Sequence, residues 1–113
     1  MENSFEKIYE DLNNWQNIQF PLSDEISKLL HLKEEVEELI KELKTSPRDW
    51  DKIRSEYADC FLLLNGSANK VGFNAQDVID LQRTKLEINK KRVWNKADGD
   101  NVYRHIKTEE YGE

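Results

Sequence analysis

Residues 32–43 read LKEEVEELIKEL and residues 53–64 read IRSEYADCFLLL. In both stretches the apolar residues return at three- and four-residue steps, the spacing of one face of an α-helix rather than the alternation of a strand. Leu32, Val36, Leu39, Ile40 and Leu43 form the stripe of the first; Ile53, Tyr57, Cys60, Phe61, Leu64 and then Ala68 form that of the second. Each stripe is bordered by two acids three residues apart, Glu35 with Glu38 and Glu56 with Asp59. At about 100° per residue, such a pair shares one edge of its helix and can present two carboxylates to one point. If the stripes pack as a helical hairpin, the two pairs can meet along one edge of the seam.

Working outward, Pro, Gly, Asn and Ser punctuate the chain into four helices. The first is expected over about residues 4–18, with Phe5, Ile8, Leu12 and Trp15 on its core face, stopping before Pro21. The second opens at Ser23 as cap, with Asp24 and Glu25 complementing the helix dipole, and reaches about Lys44. The third is expected to start with Ser46 as cap and Pro47 at the first helical position, and to end at Val71 with Gly72 in a left-handed conformation. Asn74 with Asp77 starts the fourth, which runs to about Arg92. The expectation is an all-α, four-helix bundle forming a single domain over residues 1–113, with a helical core at about 4–94 and a short irregular tail at 95–113.

Composition narrows the partners. A chain of 113 residues has a modest core, which oligomerisation would supplement. The net charge of -6, with no basic stripe, argues against binding a nucleic-acid polymer. The longest apolar run, Cys60 to Leu64, is far too short to span a bilayer, and the polar start Met1-Glu2-Asn3-Ser4 does not resemble a signal peptide. A single cysteine, Cys60, leaves no internal disulfide and suits a reducing compartment, so a cytoplasmic location is expected.

Four carboxylates brought together would repel one another, and a divalent cation relieves that repulsion. Hard oxygen ligands without a Cys or His cluster point to Mg²⁺, or Mn²⁺, shared with substrate phosphates. Either pair alone reads as a solvated acidic face, since 23 acids produce such spacings by chance. Their conjunction, with Asp59 directly before the run Cys60 to Leu64, which is apolar almost all round the helix and is expected to be the most buried part of the chain, favours a site. A di-iron carboxylate bundle would need Glu-x-x-His on two helices, and neither pair has that histidine. A non-enzymatic helical interaction module is the remaining alternative.

Glu34-Glu35-x-x-Glu38 followed by Glu56-x-x-Asp59 resembles the two-part signature of the all-α nucleoside triphosphate pyrophosphatases, the MazG-like superfamily. Trp15 before Phe20-Pro21, His31-Leu32-Lys33 ahead of the acids, Lys85-Leu86-x-x-Asn89-x-x-Arg92-x-Trp94, and Asp98-Gly99 are similar to its phage-type dATP/dGTP diphosphohydrolase branch, over about residues 12–100. The resemblance implies Mg²⁺-dependent hydrolysis of a nucleoside triphosphate between the α- and β-phosphates, with a phosphoribosyl-ATP pyrophosphatase as an alternative inside the superfamily. It maps Glu35, Glu38, Glu56 and Asp59 onto metal ligands and gives Glu34 and Glu35 the catalytic positions, with Glu34 orienting water or a second metal shell. Lys85, Asn89 and Arg92, on one face of the fourth helix, can reach phosphates; Trp15 and Trp94, and to a lesser degree Phe20, can stack on a base; His31 can bond a ligand carboxylate or a phosphate. No residue fixes the base, and the segment after Asp100 has no family role. Subunits of this superfamily commonly share an active site, and the apolar run Cys60 to Leu64 is more than one protomer covers, so a homodimer or homotetramer is expected.

Overall fold

Local side-chain chemistry sets where each helix begins. In the computed structural model, which describes residues 3–107, the amide oxygen of Asn3 accepts the Glu6 N–H at 2.7 Å and starts α1 (Ser4–Gln19). Asp24 caps α2 (Glu25–Lys44): its carboxylate accepts the Ser27 N–H at 2.7 Å, and the Ser27 hydroxyl accepts the Asp24 N–H at 2.8 Å. The expected cap, Ser23, lies one residue too early; its hydroxyl accepts a hydrogen bond from Lys28 Nζ instead.

α3 (Trp50–Lys70) is capped by Asp49, which accepts the Lys52 N–H at 3.2 Å. The expected cap Ser46 and the expected first-turn Pro47 precede that start, because residues 45–48 finish α2 instead. Thr45 Oγ1 donates to the Lys41 carbonyl and Arg48 Nε to the Leu43 carbonyl, satisfying oxygens that the helix end leaves open. Gly72, at φ +100°, ends α3 as expected, with the Phe73 N–H turned back to the Ala68 carbonyl. Asn74 and Asp77 then bond each other's backbone N–H at 2.8 and 2.9 Å and open α4 (Ala75–Lys91).

The chain forms two compact units, residues 1–78 and 79–113. In the first, α2 and α3 pack antiparallel: Ser67 Oγ donates to the Glu25 carbonyl at one end, and Lys52 pairs with Glu42 at 3.3 Å at the other. α1 crosses α3, where the Tyr9 hydroxyl donates to the Phe73 carbonyl at 2.6 Å. Tyr9, 2% exposed, centres a small cluster with Ala75 and Val78, flanked by Phe5 and Ala68. The second unit continues α4 into a loop closed by an isolated Trp94–His105 bridge; within it Asp98 accepts two backbone N–H groups and pairs with Arg104. No strand is formed among the described residues. Residues 108–113 of the expected tail lie outside the described set.

Two expectations about burial are corrected. α1 buries Tyr9, Asn13 and Gln16, while Ile8 and Trp15 stay exposed. Hydrogen bonds from the buried polar groups fix this face: Asn13 Nδ2 donates to the Tyr9 carbonyl, and Gln16 Nε2 donates to Asn13 Oδ1 and to the Gly66 carbonyl. Second, the segment Cys60 to Leu64 is not the most buried part of the chain. Phe61 is 65% and Leu64 53% exposed, because α1 and α2 cover only part of α3 and this run is apolar almost all round.

Candidate active site

The acids of α2 and α3 face one seam. Glu56 feels like charge from Glu42, Glu38 and Glu35, and that repulsion, after burial, pushes its carboxyl above the usual range. Its Oε2 is buried without a hydrogen-bond partner. Lys52, paired with Glu42, offsets part of this. The Cys60 thiol is raised by burial and by the charges of Glu35, Asp59 and Glu56, which places all three acids around the middle of α3. An orphaned carboxylate oxygen amid crowded oxygen donors fits a hard divalent cation. Among the described residues, however, no three His, Cys, Asp or Glu side chains close on a common point.

Glu35 and Asp59 also line a cavity of about 660 Å³ bounded by α1, α2 and α3. Trp15 and Phe20 form one wall, packed edge to face with ring centres 5.2 Å apart. His31 lies on the rim with Nε2 3.3 Å from Glu35 Oε1. Gln16 and Lys28 reach the cavity from buried positions. Lys28 Nζ donates to Ser23 Oγ at 3.0 Å; desolvation and then the nearby Lys70 lower its pKa. Polar and charged groups thus meet an aromatic wall in one concave space, the composition of a small-molecule site.

In the second unit, Asn89 Oδ1 accepts from Arg92 Nη1 at 2.9 Å and its carbonyl from Trp94 Nε1 at 3.1 Å. Arg92 is nearly buried, with Nε lacking a partner. Lys85 and Asn89 line a shallow cleft on α4, and Trp94 stacks edge-on against His105.

The sequence profile of the dATP/dGTP pyrophosphohydrolase family matches residues 8–111. The chain belongs to this family. It is therefore an enzyme of the class that hydrolyses phosphoanhydride bonds. Its fold is similar to that of a solved structure, a cyanophage S-2L MazG-like pyrophosphohydrolase bound to dGDP and three catalytic Mn²⁺ ions per active site. The two share 24% identity with a TM-score of 0.73, over 94% of this chain and 100% of the other. No curated protein matches.

In this pyrophosphohydrolase, the structure groups Glu35, Asp59, His31 and Trp15 around one cavity and sets Glu38 and Glu56 on the adjoining seam. Glu34 is exposed and outside the cavity lining. Three participants escaped the sequence reading. Glu42 continues the edge of Glu35 and Glu38 at i+7 and i+4, a signal that was legible. Lys28 precedes His31 and Glu35 by three and seven residues, on the same face. Gln16 had no such signal, since its burial follows from the rotation of α1.

Proposed function

We propose that this chain hydrolyses purine deoxynucleoside triphosphates between the α- and β-phosphates, releasing a nucleoside monophosphate and pyrophosphate. The observation that carries this is the unpartnered, buried Glu56 oxygen beside a cavity that joins carboxylates to an aromatic wall. Glu35, Glu38, Glu56 and Asp59 would hold Mg²⁺, or Mn²⁺ as in the cyanophage neighbour. Bound cations supply charge neutralisation at the phosphate oxygens and a more acidic water. Glu34 orients that water, His31 steadies the Glu35 carboxylate from 3.3 Å, and Trp15, with Phe20 beside it, offers a face to the base. Lys85, Asn89 and Arg92 contact phosphates, Arg92 through its planar fork, and Trp94 is a second stacking surface. The dGDP held by the cyanophage neighbour supports a purine substrate.

The chain acts as one domain and assembles as a homodimer or homotetramer, supported by the uncovered apolar side chains Phe61 and Leu64 on α3 and Val36 and Ile40 on α2. No helix among the described residues is long and apolar enough to cross a membrane, and the cytoplasm, where Cys60 stays reduced, is the proposed location. Incubation with each nucleotide and Mg²⁺ or Mn²⁺ tests the activity. Pyrophosphate from dATP and dGTP, abolished by chelation, is expected; release of single phosphate, or no turnover, refutes it. Light scattering that shows a stable monomer refutes the assembly.

A further inference from the structure

Lys28 is 4% exposed and lines the α1–α2–α3 cavity, yet among the described residues no carboxylate lies in ion-pair range of it. Its hydrogen bond goes to a neutral hydroxyl, that of Ser23. An ammonium carries three donors, and a buried donor without an acceptor is costly, so a ligand entering the cavity should bring acceptors to this amine.

The position of Lys28 says which part of the ligand. Lys28, His31 and Glu35 follow one another along a single face of α2, and seven residues of helix put Lys28 about 10 Å from Glu35. With the phosphates drawn to Glu35 and Asp59, the far end of a nucleotide lies toward Ser23 and the Trp15–Phe20 wall, where Lys28 sits. A base stacked there offers its edge to the amine. Adenine and guanine share one major-groove acceptor, the ring nitrogen N7, and guanine adds O6; pyrimidines have no N7.

We propose that Lys28 donates a hydrogen bond to purine N7 and so determines the selection of purine over pyrimidine nucleotides. This rests on the cavity being the nucleotide site proposed above. Guanine, with O6 beside N7, gains more from the contact than adenine.

The test uses the 7-deaza analogues of dATP and dGTP, in which N7 is replaced by CH. In the wild-type protein, kcat/KM for each natural nucleotide should exceed that of its analogue by about ten- to a hundredfold, the value of a hydrogen bond to a charged group. In Lys28→Met that ratio should fall to about one for both bases. Because it is a ratio within one protein, partial loss of active material cancels. A wild-type ratio near one overturns the proposal, and this measurement stands even if Lys28→Met fails to fold. A Lys28→Met protein that keeps the wild-type ratio, losing activity equally on natural and deaza nucleotides, also overturns it and assigns Lys28 to phosphate or fold. Absence of any wild-type turnover is a different failure, removing the nucleotide reading itself.

Discussion

Gly66 sits in the C-terminal part of α3, against α1, and an alanine there pits two effects of known size against each other. A Cβ at this position would lie 2.5 Å from Gln16 Oε1 and 3.1 Å from both Cδ and Nε2. Removing glycine from a helix interior gains about 1 kcal/mol. The added methyl, however, forces the Gln16 amide to move, and Gln16 is buried and bonded to Asn13 Oδ1 and the Gly66 carbonyl. At about 1 kcal/mol for each bond, the loss is about 2 kcal/mol, so Gly66→Ala should destabilise by about 1 kcal/mol net. In a Gln16→Ala background the obstruction is gone, and the same change should stabilise by about 1 kcal/mol. The cycle of four proteins, followed by urea unfolding, should thus give a coupling of about 2 kcal/mol between Gly66 and Gln16. If Gly66→Ala stabilises both backgrounds equally, the close approach of α1 to α3 through the amide is wrong.

Glu56 is held above the usual carboxylate range by burial first and by Glu42, Glu38 and Glu35 next, so its ionisation opposes folding. Its contribution to stability is present below the unfolded pKa and is lost as pH rises through the folded one. In chelator, Glu56→Gln should therefore melt higher than wild type at pH 7, with the difference vanishing in acid, while divalent cations should no longer stabilise it; thermal melts at several pH values check both. Asp24 behaves oppositely: the Ser27 N–H lowers its pKa, and its contribution is present above the unfolded pKa and lost as pH falls through the folded one. Asp24→Ala should lower stability at pH 7 through loss of the cap, with the difference from wild type shrinking as pH falls, measurable by urea unfolding at several pH values. Trp15→Ala should raise KM for dATP and dGTP by about tenfold or more with kcat less affected, since stacking on a base contributes about 1–3 kcal/mol; an unchanged KM in steady-state assays removes Trp15 from the site.

What was legible in the sequence was whatever acts within a turn or two of helix. Reciprocal bonds between Asn74 and Asp77, the left-handed Gly72, and the acid edges of α2 and α3 all follow from residues a few positions apart. The two misplaced caps show the limit of that logic: Ser23 and Ser46 are good caps in isolation, but Asp24 and Asp49 stand closer to the first helical turn and take the N–H groups. Long-range choices were not legible. Hydrophobicity favours Ile8 and Trp15 as the inner face of α1, yet Tyr9, Asn13 and Gln16 are inside, because a hydroxyl reaches Phe73 from across the sequence and an amide fits against a residue without a side chain. That rotation moves Trp15 from the core to the wall of the cavity, beside Phe20. The same polar bonds that displace a tryptophan from the interior therefore place its ring where a base can stack, so the departure from simple apolar patterning in α1 is itself part of how the candidate site is built.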